Sequence, residues 1–180
     1  MRWLATLFFV LAMAPLGAAA DQNDPRLDDL FKELKEAGDP INALGIQNAI
    51  WQLWLETDDA EAETAMQSGI AALDAHDFEG ALKIYDRLVE RAPAFAEAWN
   101  KRATVEYLLG KYQESLADIA KTLALEPRHF GAITGRGLIQ HALGDDLSAI
   151  KSFEAALKIN PNLVSVRQNL EALKAQQKPI

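Results

Sequence analysis

From Leu27 onward, apolar residues recur at three- and four-residue intervals, the spacing that places them on one face of an α-helix. Leu27, Leu30, Phe31 and Leu34 form the first such stripe, and Gly38-Asp39-Pro40 ends it. A second helix is predicted over roughly 41–57, with Ile46, Ile50, Leu53 and Trp54 turned inward. At the far end Leu163, Val166, Leu170 and Leu173 make another stripe. Arg167, Gln168, Glu171 and Lys174 are spread round the rest of that helix, and Lys178-Pro179-Ile180 follows as a frayed tail.

Between these flanks the pattern repeats. Pro93, Pro127 and Pro161 recur at a constant interval of 34 residues, which aligns three segments: 62–95, 96–129 and 130–163. Their eighth position holds Gly69, Ala103 and Gly137, and their twentieth holds Ala81, Ser115 and Ala149. Small residues there let two helices approach closely. The twenty-fourth position holds Tyr85, Ile119 and Phe153, bulk that fills the space beside that contact. The turn position holds His76, Gly110 and Gly144, and the two glycines suit a left-handed helix C-cap. Each proline ends a helix it cannot continue. These columns predict a first helix at 62–75, 96–109 and 130–143, and a second at 79–91, 113–126 and 147–160.

The columns resemble the tetratricopeptide repeat. The second segment carries Trp99, Ala103, Tyr112, Ser115 and Pro127, and the third carries Gly137, Ala149, Phe153, Ala156 and Pro161. The first carries Gly69, Ala81, Tyr85 and Pro93, but has Ala65 where an aromatic is usual. More loosely, the chain is similar to small secreted repeat proteins of proteobacteria, on residues such as Trp99-Asn100-Lys101-Arg102-Ala103. The resemblance implies an all-α fold: a right-handed α-solenoid of helix-turn-helix repeats, with an N-terminal helical hairpin over 21–61 and a C-terminal capping helix within 164–180. Running the frame backwards places Trp51 at position twenty-four, so the hairpin is either a degenerate repeat or an unrelated helix pair. In both cases it is expected to pack on the helix at 62–75 and plug the end of the stack, with Trp51 as core or, alternatively, as an exposed aromatic patch.

The first twenty residues differ from the rest. Arg2 precedes an apolar run from Trp3 to Leu16, followed by Gly17, Ala18, Ala19 and Ala20. A positive end, a short apolar stretch and an Ala-x-Ala site describe a cleavable signal peptide over 1–20, cut after Ala20. A retained membrane anchor is the other reading, disfavoured by the length of the run and by Pro15 and Gly17. The expected location is therefore periplasmic or secreted, with no integral membrane span after cleavage.

Composition then narrows the chemistry. Apolar residues make up 49% and charged residues 24%, and the formal charge is -8. A surface of that sign repels a phosphate backbone, so nucleic acid is not an expected partner. The absence of cysteine excludes disulfides, thiolate metal sites and thiol catalysis. His76, His129 and His141 fall in different segments with no carboxylate at ligand spacing, so no metal is expected. Asp28-Asp29, Asp58-Asp59 and Asp145-Asp146 open helices, where carboxylates favour the positive dipole end. No cofactor and no catalytic residue is expected, and the chain reads as a binding scaffold and not as an enzyme.

The resemblance also implies where a ligand would sit. In tetratricopeptide stacks the first helix of each repeat lines a concave groove. Here that points to Met66, Ile70 and Leu73, to Asn100, Thr104 and Tyr107, and to Thr134, Leu138 and His141. Members that clamp a terminal carboxylate use Lys and Asn in the first repeat; Met66 and Ile70 stand there, and Gly131 and Gly135 stand where the third would supply cations. That clamp is absent. The expected partner is a protein or peptide with apolar anchors, unless the hairpin covers Met66, Ile70 and Leu73. Arg102 and Arg136 share the seventh position, each with its stem expected between helices and its guanidinium in solvent. The functional classes in view are an exported interaction module, a periplasmic chaperone or regulator of envelope machinery, and, least supported, an enzyme.

Overall fold

The computed structural model describes residues 22–177. The predicted signal segment and the tail from Lys178 lie outside the described residues. Three helix pairs form a right-handed α-solenoid: α3 (Ala60–Asp74) with α4 (Phe78–Arg91), α5 (Ala96–Leu108) with α6 (Tyr112–Leu125), and α7 (Phe130–Ala142) with α8 (Asp146–Ile159). An N-terminal hairpin, α1 (Arg26–Glu36) and α2 (Pro40–Leu55), precedes them, and α9 (Val164–Gln176) follows. No strand occurs among the described residues.

The same local chemistry closes each pair. In all three turns the chain leaves the first helix with one residue at positive φ: His76 (60°), Gly110 (74°) and Gly144 (80°). The next amide then reaches back five residues, Asp77 to Ala72, Lys111 to Glu106 and Asp145 to Gln140, to satisfy a helix-end carbonyl. Asp77 and Asp145 go on to cap the second helix, accepting from the amides of Gly80 and Ser148. The small and bulky columns meet face to face. A Cβ on Gly69 would lie 2.5 Å from the Tyr85 ring, and one on Gly137 would lie 2.5 Å from Phe153 Cε1. The second pair solves the same contact with Ala103 and Ile119, both buried.

α9 packs on α8 and buries Val166, Leu170 and Leu173 against the cluster around Phe153. The hairpin does something else, and the expectation that it packs on α3 is corrected. Only Leu55, at the end of α2, reaches the apolar cluster of the first pair. The exposed side of α3 is already small and polar, with Thr64, Gln67, Ser68 and Ala71 in solvent, so that end of the stack needs little cover. The hairpin instead lies along the edge where the proline-marked junctions line up. Gln22 exchanges hydrogen bonds with the Ala94 carbonyl and the Ala96 amide at the first junction. At the second, the Arg128 guanidinium bonds Asp28 and sits 4.5 Å above the Phe31 ring. At the third, Asn160 donates to Gln47 at 2.8 Å and Asn162 to the Leu34 carbonyl at 3.0 Å. Its core (Leu27, Phe31, Leu34, Ile46, Ile50, Leu53, Trp54) closes over Phe130 from α7.

Candidate functional site

Seating the hairpin on the junction edge turns the concave face into a groove with four walls. Asn100, Thr104 and Tyr107 project from one stripe of α5, and Thr134 and Leu138 from α7. Gln47 and Trp51 of α2 form the facing wall, Leu163, Ser165 and Val166 close one side, and Ala103, Ile119 and Ile139 lie at the floor. The cavity holds about 380 Å³. No charged side chain lines it. Gly131 belongs to the construction: a Cβ there would lie 2.6 Å from Trp51 Cη2, so only glycine lets the indole close against α7.

Of the nine groove residues expected from the repeat register, Asn100, Thr104, Tyr107, Thr134 and Leu138 come together in this cavity. Four do not, and their placement corrects the expectation. Met66 is wholly buried among Tyr85, Leu88, Ala98 and Val105, because the first repeat packs its inner stripe against α4 and α5. Ile70 and Leu73 lie half-buried on the same cluster, so it is the repeat's own core and not the hairpin that occupies them. His141 is exposed and bonds Asp146 at 2.6 Å.

Below the groove lies a buried polar node. His129 caps α7 by accepting the Ala132 amide at Nδ1, so the ring carries its proton on Nε2 and donates it to Glu97 Oε2 at 2.8 Å. Asn100 Nδ2 donates to the same oxygen at 3.0 Å, and Lys101 Nζ stands 3.2 Å from Glu97 Oε1. Burial alone would raise the Glu97 carboxyl; the His129 hydrogen bond and the Lys101 charge outweigh it and hold the group below the usual carboxylate range. Trp54 stacks on the other face of the node, parallel to His129 with ring centroids 4.0 Å apart. Trp51 meets His129, Trp54 and Phe130 edge-on, which answers the question of an exposed aromatic patch: it is a half-buried wall. Neither Glu97 nor His129 is among the expected site residues. Glu97 and His129 are almost one repeat apart, and residues one period apart stack side by side, so the period itself carried the signal.

Arg102 is also corrected. Its side chain is only 19% exposed, and the guanidinium is held by Asp118 through Nε at 2.6 Å and Nη2 at 2.8 Å, bonded to Asp86, and laid over the Trp99 ring. In the third pair Arg136 donates to Ser152, which donates in turn to Gln140. Both arginines are structural struts between helices, with their partners already in place.

The fold and the groove define a helical-repeat binding domain, and comparison with known proteins identifies its family. A tetratricopeptide repeat profile matches residues 66–123 and 109–163. The chain is 34% identical over 168 residues to a TPR repeat-containing protein of Rhizobium etli, covering 86% of this chain and 82% of that one. It belongs to the tetratricopeptide repeat family. It is also 26% identical to DnaJ homolog subfamily C member 7 of Mus musculus, where it spans 24% of the relative's length. Among solved structures, the first TPR of Spaghetti (RPAP3) bound to an HSP90 peptide superposes with a TM-score of 0.63 at 21% identity, over 66% of this chain and 94% of that one. At that identity the likeness speaks for the fold.

Proposed function

We propose that this protein is an exported scaffold that holds a segment of a partner protein in the groove between α5, α7 and the hairpin. The observation that carries the reading is the uncharged, mostly apolar cavity of about 380 Å³, built jointly by two repeats and the hairpin. Its lining has no carboxylate, imidazole or cationic side chain, which suits binding and offers no acid, base or nucleophile pair for catalysis. The family supports the reading, and the Spaghetti (RPAP3) domain of the same fold holds a peptide. Export rests on Arg2, the apolar run to Leu16 and the Ala18/Ala20 site. A mature protein beginning at Asp21 is the expected result of N-terminal sequencing from the native cell.

Immobilised protein should retain a partner from envelope extract, and the pair Asn100→Ala with Tyr107→Ala, checked as folded by circular dichroism, should release it. Equal retention by that variant removes the groove from the reading.

A further inference from the structure

Three polar groups on the helix side of the groove, Asn100, Thr104 and Thr134, share one property. Glu97 is ionised and can only accept, so the Asn100 amide must turn Nδ2 toward it, and Oδ1 is left for the groove. Among the described residues nothing donates to that oxygen. Thr104 spends its hydroxyl proton on the Asn100 carbonyl at 2.9 Å, and Thr134 spends its own on the Phe130 carbonyl at 2.8 Å. Each hydroxyl therefore presents only lone pairs. These three positions make a row of acceptors with no free donor among them.

From this we infer that the groove selects an internal, uncharged, extended peptide segment through its main-chain N–H groups, with Glu97 as the positioning residue that keeps Asn100 an acceptor. This rests on the scaffold reading above and specifies its ligand. A carboxylate finds no cation in the groove and no donor from Asn100, Thr104 or Thr134, and an ammonium finds no charged side chain in the lining, so either charge would be poorly compensated for its lost hydration. A helix has already spent its N–H groups internally, whereas an extended segment has alternate ones free. The spacing agrees as well. Asn100 and Thr104 are one i,i+4 step apart, about 6 Å along a helix. Alternate amides on one side of an extended chain recur every ~6.7 Å.

The test begins with random peptides, flanked on both sides so that no terminus is presented, displayed and selected on the full chain. Binders are resynthesised with acetyl and amide ends and with single N-methylated amides. The selected sequences should be uncharged at their centre. N-methylation at two alternate amides should each weaken binding about fivefold, the worth of one hydrogen bond. In Asn100→Leu one of those penalties should vanish, and in Thr104→Val the other, while peptides with a free terminal carboxylate bind no better than capped ones. Glu97→Gln keeps an acceptor facing Asn100 and should preserve the pattern, whereas Glu97→Ala should erase the Asn100-linked penalty. If the alanine variant does not fold, the Thr104→Val comparison still decides. Binders that are acidic, that need a free carboxylate, or that ignore N-methylation overturn the inference and leave the scaffold reading standing. Recovery of no peptide sensitive to Tyr107→Ala overturns both.

Discussion

Glu106 and Gln140 occupy the same place in successive repeats, each beside a strut arginine and its partner on the second helix. The third repeat builds this contact from neutral groups, with Ser152 donating to Gln140. The second builds it from charges, and Glu106 is left with a buried, unpartnered Oε2. Burial first, and the Asp118 carboxylate second, push Glu106 from 4.5 up to about 7. Because this acid is raised in the fold, the folded state binds the extra proton, and stability falls as pH rises from about 4.5 to about 7 and levels beyond. Glu106→Gln should remove that slope, adding about 1–3 kcal/mol at pH 8 and nothing near pH 4. Urea melts at the two pH values measure it; an equal effect at both would mean the charge is not the cause. Arg102 could be seen in the sequence as a repeated position, but its bidentate grip on Asp118 could not, since nothing local distinguishes a buried ion pair from a solvated one.

At the scale of the helix pair, the packing rule is a trade between positions eight and twenty-four. Glycine faces an aromatic ring in the first and third pairs, and Ala103 faces Ile119 in the second. Gly137→Ala should cost about 1–3 kcal/mol by pushing on Phe153. Phe153→Ile alone should cost about 1–2 kcal/mol for the space it leaves. Combined, they reproduce the second pair's solution and should cost clearly less than their sum, a coupling that a double-mutant cycle in denaturant reads directly. Strict additivity would show that the two columns do not touch in solution. These columns were legible because the contact lies within one repeat and recurs. The groove was legible by the same logic where its residues come from α5 and α7. It was not at Met66, where an apolar side chain in a groove register is equally well spent in the core. Nor could the hairpin be placed from sequence: the stripe Leu27–Phe31–Leu34 states that a face is buried, not what buries it.

For the whole molecule, the hairpin changes the energetics of a repeat stack. A solenoid is ordinarily a chain of nearest-neighbour interfaces. Here Trp54, stacked on His129 and packed on Phe130, ties the first helices to the start of the third repeat. Trp54→Ala should cost about 3–5 kcal/mol in a urea melt; a loss under about 1 kcal/mol would mean the hairpin rests loosely on the edge. The depressed Glu97 carboxyl adds stability that is present above its ordinary value of 4.5 and is lost as pH falls through its lower folded value.

The strap across the three junctions also sets an order of events. The hairpin is made before any of the surfaces it closes on, and its last partners, Asn160, Asn162 and Leu163, come more than a hundred residues later. At a synthesis rate of roughly 5–20 residues per second, its apolar face waits roughly 5–20 s for them. The repeats can pair off as they emerge, each with its neighbour. The groove can acquire its Trp51 wall once His129, Phe130 and Gly131 have emerged, but its side of Leu163, Ser165 and Val166 comes only with the end of the chain, so binding competence arrives last.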